Sequence, residues 1–211
     1  MTPEHTTSDR SRAEHLGPGR RRPQVLDAAL EIAAADGISA ITMGAISARM
    51  GVSRPVVYDC YAGRGEVLKA LLDRETDIAL SSLLSILPPM KTTSVEQMFV
   101  DGFRSLLDDV KRRPASWRIV FANDPEPVLA KAISRGRRRI AEQVDAVMRP
   151  LFERWRVDEI DRTTPVLTEV FLGICETAVR MMLDRPDNWS PDALADIVGP
   201  AAYRAVRARA D

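Results

Sequence analysis

An all-helical fold is what this sequence predicts, and three observations predict it. From Pro23 onward, apolar residues recur every three or four positions along almost the whole chain. Nothing between Ile38 and Ala62 alternates with period two over a useful length, so no strand is assigned there. Prolines and glycines then divide the periodic stretches into segments of helical length, about nine of them.

Residues 1–19 are polar, show no apolar periodicity and read as a disordered tail. Arg20, Arg21 and Arg22 follow it, either as a solvated helix start or as an arm that tracks DNA phosphates or enters a minor groove. Val25, Leu26, Ala29, Leu30, Ile32 and Ala33 form the first helical stripe, and Gly37 ends it. Thr42 is placed as an N-cap before a short helix that buries Ala45, Ile46 and Met50. Gly51-Val52-Ser53 is a tight break, with Gly51 able to take a positive φ and Ser53 a second N-cap. A very short helix runs from Arg54 to about Tyr58.

The remaining helices are longer. One spans about 65–87 and stops at Pro88-Pro89; another spans 94–113, carries Val95, Met98, Phe99, Phe103, Leu106 and Val110, and stops at Pro114. A short apolar stretch, Trp117 to Phe121, leads to Asn123-Asp124-Pro125. The next helix is expected to bury one face through Leu129, Ile133, Gly136, Ile140, Val144, Val147, Leu151 and Trp155, with Arg135, Arg137, Arg138 and Arg139 around Gly136. The last two cover about 158–183 and 190–209. The first of these is apolar almost all round, and the second carries Leu194, Ile197, Val198, Ala201, Ala202 and Val206. A helix apolar on every side is buried on every side, so a homodimer through these two helices is expected, with burial inside a monomer as the alternative.

Composition narrows the function. Thirty Lys+Arg balance thirty Asp+Glu, so bulk charge cannot drive polyanion binding and nucleic-acid affinity must come from a local arrangement. Cys60 and Cys175 have no metal-ligand spacing, and the two histidines, His5 and His15, lie in the tail. No metal, cofactor or catalytic residue is implied. A helical enzyme using Glu169 and Glu176 as acid and base is disfavoured because nothing nucleophilic or metal-binding accompanies them. There is no run of 18 apolar residues and no apolar leader, so a cytoplasmic protein without membrane contact is expected.

Residues 42–58 have the proportions of a helix-turn-helix, in which one helix braces against DNA backbone and a second enters the major groove. Ile46, Val52 and Val57 supply the apolar contacts that lock the pair onto the preceding helix. From Arg22 to Leu72 the chain resembles the N-terminal domain of the TetR family of bacterial transcriptional regulators. The Ala-rich first helix ending at Gly37, Thr42, Ile46-Ser47, Gly51-Val52-Ser53, Tyr58, Tyr61 and Arg64 with Glu66, Val67 and Leu68 carry the match.

The resemblance implies a DNA-binding domain over 20–68 and a larger helical ligand-binding and dimerisation domain over 69–211. It implies phosphate contacts from Thr42, Ser53 and Tyr58, and from Arg64, which stands where the family usually has Lys. Arg54, Pro55 and Val56 would face bases, Arg54 pairing with a guanine and Val56 meeting a thymine methyl. Tyr61 is expected in the core. Three features depart from the family: Asp59, which would repel phosphate unless paired with Arg54 or Arg64; Cys60, a small core filler or a redox switch; and Gly63 and Gly65, which start the fourth helix weakly.

Met98, Phe99, Phe103, Trp117, Phe121, Met148, Trp155 and Phe171 are candidates to line an effector pocket, or are plain core. Glu169, Glu176 and Arg180 are the polar groups expected to orient a ligand or pair across a dimer. The expected function is a ligand-responsive repressor that binds a palindromic double-stranded DNA operator as a dimer and is released by a small apolar or amphipathic effector. The alternative is a helical ligand-binding or interaction module that has lost operator binding.

Overall fold

Helical periodicity and proline punctuation produce the expected architecture. The computed structural model describes residues 17–86, 94–121 and 127–207, which form nine α-helices and one short 3-10 turn with no strand among them. Helices α1 (Pro18–Asp36), α2 (Met43–Met50) and α3 (Arg54–Tyr58) are followed by α4 (Arg64–Ile86), α5 (Val95–Arg112) and α6 (Pro114–Val120). The last three are α7 (Pro127–Arg154), α8 (Ile160–Asp184) and α9 (Pro191–Arg207), and the 3-10 turn is Ile38–Ala40. Most of the tail, the stop at Pro88-Pro89, the segment Asn123-Asp124-Pro125 and the last residues of α9 expected at 208–209 lie outside the described residues.

One boundary and two faces differ from expectation. Helix α1 starts at Pro18, not Pro23, so Arg20, Arg21 and Arg22 are helical. Pro18 suits the first turn because its absent N–H has no partner to lose there. In α7 the buried stripe runs through Ile133, Val144, Met148 and Phe152, while Val147 is exposed. Steps of four residues rotate slowly around a helix, and after Val144 the stripe goes on in four-residue steps to Met148 and Phe152 where a three-residue step to Val147 was expected. Helix α8 is not buried on every side of this single chain: Leu167, Phe171, Cys175, Ala178 and Val179 face inward, but Val166 is 61% exposed and Val170 43%.

Two cores result. The smaller gathers Val25, Ala29, Ile41, Ile46, Val57, Tyr61, Val67, Leu68, Leu71 and Leu72, together with Ile119 and Ile133 from α6 and α7. The larger is built by α5 to α9 around Phe103, Leu107, Val144, Phe152, Phe171, Val179 and Leu194, with Ala79 from α4. Helix α4 therefore belongs to both cores, and the domain boundary expected at residue 68 falls inside it.

Ion pairs lash the helices together. Arg74 of α4 reaches Asp27 of α1 at 2.6 Å and the buried Glu75 at 2.8 Å. Arg104 of α5 reaches Asp192 and Asp196 of α9 at 2.6 and 3.2 Å. The buried Asp109 accepts hydrogen bonds from Arg113, Arg112 and the Trp117 indole, and Arg113 also donates to Ser82 of α4 at 3.0 Å. Burial opposes ionisation of Asp109, but those hydrogen bonds outweigh it and hold its carboxyl below the usual carboxylate range.

Helices α5 and α9 form the most extensive pair, and their closest approach requires Gly199. A Cβ there would lie 2.6 Å from the Val100 Cα, so backbone would have to move. Overpacking of this kind costs about 1–3 kcal/mol or more, against roughly 1 kcal/mol gained from the better helix propensity of Ala. Gly199→Ala is expected to lose about 1 kcal/mol net, lowering Tm by about 2–4 °C in a chain of this size. Thermal unfolding followed by circular dichroism checks this, and an unchanged or raised Tm contradicts the close approach.

Candidate nucleic-acid interface and apolar cleft

The helix-turn-helix is built from local chemistry. Thr42 Oγ1 accepts a hydrogen bond from the Ala45 N–H at 3.0 Å and starts α2. Gly51 ends α2 in the left-handed region (φ 65°, ψ 30°), which glycine adopts without Cβ strain. Ser53 stands at the N-cap of α3, but its side chain makes no capping hydrogen bond, contrary to expectation; Pro55 at the start of the helix supplies the preset φ instead. Ile46 and Val57 are wholly buried and fix the pair onto α1 and α4.

The opposite face is open. Thr42, Ser53, Arg54, Pro55 and Tyr58 are exposed and Val56 is half-buried; Tyr58, at 51%, is one of the few large hydrophobic side chains exposed among the described residues. Arg54 does not simply project outward. Its guanidinium lies across Gly44 of α2, where a Cβ would sit 3.0 Å from Nη2. Asp59 is exposed and makes no ion pair with Arg54 or Arg64. Cys60 is buried, its thiol donating to the Val56 carbonyl at 3.4 Å, and burial pushes its pKa up despite nearby Arg21. That environment fits the core-filler role and not a redox switch.

Arg64 is not on the open face. Its Nε donates to the Ile41 carbonyl at 2.6 Å and its Nη2 to the Ile38 carbonyl at 3.1 Å, so it ties the start of α4 to the entry of α2. Arg22, expected in an arm or a solvated helix start, donates to the Cys60 carbonyl at 3.0 Å and lies 5.3 Å from the centre of the Tyr61 ring. Helix α4 starts despite Gly63 and Gly65 because Glu66 reaches back to accept the Ala62 N–H at 2.6 Å.

A second feature lies about α4, α6, α7 and α8: a cleft of about 480 Å³. Leu80, Leu106, Trp117, Phe121, Ile140, Leu172 and Val179 supply its apolar lining, with Trp117 and Phe121 stacked 5.7 Å apart. Ser134, Arg137, Arg138, Glu169 and Glu176 add its polar groups, and Glu176 pairs with both Arg137 and Arg180.

The model for bacterial regulatory proteins of the tetR family matches residues 25–71, which contain α2, the turn, α3 and most of the smaller core. Over residues 25–71 the chain is of the TetR type. Its relatives are transcription regulators and not enzymes. It is 31% identical over 124 residues to the transcriptional activator FasR of Mycolicibacterium smegmatis, a match covering 58% of this chain and 56% of FasR. The chain thus spans little more than half the length of that relative. It is 25% identical to the transcriptional regulator AlkX of Mycobacterium tuberculosis over 96% of both chains. In fold it is similar to a TetR-like transcriptional regulator from Rhodococcus sp. RHA1, with TM-score 0.66 and 20% identity, covering 87% of this chain and 94% of that one.

Within this TetR-family fold, the pocket residues expected from sequence divide sharply. Trp117 and Phe121 line the cleft. Phe99, Phe103, Met148 and Phe171 are instead buried in the larger core, and Met98 and Trp155 pack on it half-buried. Glu169 and Glu176 line the cleft as well, while Arg180 reaches it only through Glu176. Gly44 and Arg22 were missed as contributors to the reading head. Their roles depend on contacts 10 and 38 positions away in sequence, which no local motif encodes.

Both cysteines are buried, and burial raises both thiol pKa values. At pH 8 the native chain is expected to resist a disulfide-exchange reagent over minutes, and the unfolded chain to release two equivalents at once. Rapid labelling of Cys60 in the native protein would contradict the buried-filler assignment.

Proposed function

We propose that the chain is a ligand-responsive, dimeric transcriptional repressor working in the cytoplasm, with a DNA-reading head over residues 20–68 and a ligand-binding and dimerisation part over 69–211. The observation that carries the reading is the open face of the helix-turn-helix: Thr42, Ser53, Arg54, Pro55 and Tyr58 share an exposed surface backed by the fully buried Ile46 and Val57. Tyr58 and Thr42 would bond phosphates. Arg54 and Val56 would meet base edges, Arg54 by swinging from its seat on Gly44 into the groove. Unpaired Asp59 beside Tyr58 disfavours phosphate at that point, so the DNA backbone would pass on the Thr42 side of Tyr58.

Dimerisation through α8 and α9 is supported by Val166, Val170 and Ile197, large apolar side chains 43–61% exposed on the outer faces of those helices. A two-fold pair would present two α3 helices to half-sites about 34–36 Å apart. The cleft, apolar with charged groups among its lining, suits a small apolar or amphipathic effector. Occupancy that favours another α4 position would change operator affinity, commonly about 5- to 150-fold. Repression by occupying promoter DNA is the simplest output; FasR is named an activator, and a reporter gene under a bound operator separates the two signs.

Fluorescence anisotropy of the full chain against labelled DNA flanking its own gene, and against scrambled DNA at two salt concentrations, tests the reading. Selective binding that weakens steeply with salt is expected, with Arg54→Ala and Tyr58→Ala each losing roughly 1–3 kcal/mol of selectivity or affinity. Ile197→Glu is expected to give monomers with weakened operator binding. Equal affinity for scrambled DNA, or a monomer that binds as tightly as the wild type, would count against it.

A further inference from the structure

Arg64 and Arg22 stand at the two ends of the reading head. Arg64, the first residue of α4, holds the carbonyls of Ile38 and Ile41, which belong to the 3-10 turn and the residue leading into α2. Arg22, in α1, holds the carbonyl of Cys60, just past the end of α3, and stacks on Tyr61. Helices α2 and α3 have 8 and 5 residues, too short to hold a direction by their own hydrogen bonds. Ile46 and Val57 anchor their middles by apolar contact, which is non-directional. The two guanidiniums add fixed, directional bonds where the chain enters and leaves the pair.

We propose that Arg64 and Arg22 are positioning residues that set the orientation of α3, and that neither neutralises an operator phosphate. This rests on the DNA-reading function proposed above. The planar fork of Arg64 satisfies two carbonyls at once, a geometry that an ammonium on a flexible stem does not reproduce, so Lys is no substitute there. A phosphate contact needs a cation first of all, which Lys also supplies as a point charge, so the salt slope is kept in a Lys variant and lost in an Ala variant. Because α4 also carries Ala79 and Leu80 to the cleft lining, displacement of α4 would pull directly on the Ile38 and Ile41 carbonyls through Arg64. Arg64 is then the point at which the cleft and the reading head meet.

The test uses the full-length chain and its Arg64→Lys and Arg22→Lys variants, which keep the charge and lose the fork. Binding is measured over a range of salt to a duplex selected by the wild type from a randomised pool, and to a scrambled duplex. The expected result is a Kd for the selected duplex raised about tenfold or more in each variant. Affinity for the scrambled duplex should stay within about twofold, with an unchanged slope of log K against log salt. Lys variants that bind like the wild type would overturn the proposal. So would an Arg64→Ala variant that weakens both duplexes equally and lowers the slope by about one.

Hydrogen exchange of the DNA-free chain is a second, independent readout. Positioning requires faster amide exchange over residues 43–58 in both Lys variants, and unchanged exchange overturns it. If the wild type selects no duplex, the DNA-reading proposal fails by itself, and exchange still decides the role of the two arginines.

Discussion

Helix α4 buries Val67, Leu68, Leu71 and Leu72 in the smaller core and, two turns later, Ala79 in the larger one. A helix is stiff over that distance, so the two cores share one rigid body and cannot shift independently. Gly136 of α7 crosses α4 closely enough that a Cβ would lie 3.3 Å from the Thr76 hydroxyl, and Arg139 pairs with Asp77 beside it. Ile119 and Ile133 of the distal helices enter the smaller core from the same side. The cleft opens against α4 through Ala79 and Leu80, one turn beyond this crossing. Whatever fills the cleft therefore bears on the element that also holds the reading head.

Several arginines of this chain of zero net charge bond within the molecule. Arg22, Arg64, Arg74, Arg104 and Arg113 each bond to another segment of the chain, Arg22 while remaining exposed. Directional bonds of this kind specify orientation more than they add stability, since an ion pair that stays partly exposed is worth little. In the DNA-reading function proposed here, Arg54 is the sole cation of α3. Selectivity then depends on how few side chains are presented and at what angle, which makes the posture of α3 more consequential than the field around it.

Much of the reading head was legible because its signals are local. Thr42, Gly51 and the Gly51-to-Tyr58 spacing encode a cap, a left-handed stop and a short helix within residues 42–58, and the structure has each of them. The Ser53 cap failed for a reason also visible in hindsight, since Pro55 already sets the first turn. Arg64 could not be placed from sequence, because its partners lie 23 and 26 residues away. The cleft was harder still. Large apolar residues look alike in sequence whether they fill a core or line a cavity, and the turn from three- to four-residue steps in α7 moved Met148 and Phe152 inward and Val147 outward. Trp117 belongs to the larger core and lines the cleft as well, with Phe121 stacked on it.

The central claim is that α4 mechanically links the cleft to the reading head, and it can be tested without knowing the effector. Leu172 lines the cleft half-buried, so Leu172→Trp would place an indole where a ligand would sit. Blue-shifted emission from the introduced indole would report that it is seated, and sedimentation would report the oligomeric state. The measurement is the Kd of this variant for a duplex the wild type selects. A change of about fivefold or more in a folded variant of unaltered oligomeric state is the result predicted. A filled cleft with operator affinity unchanged would contradict the linkage.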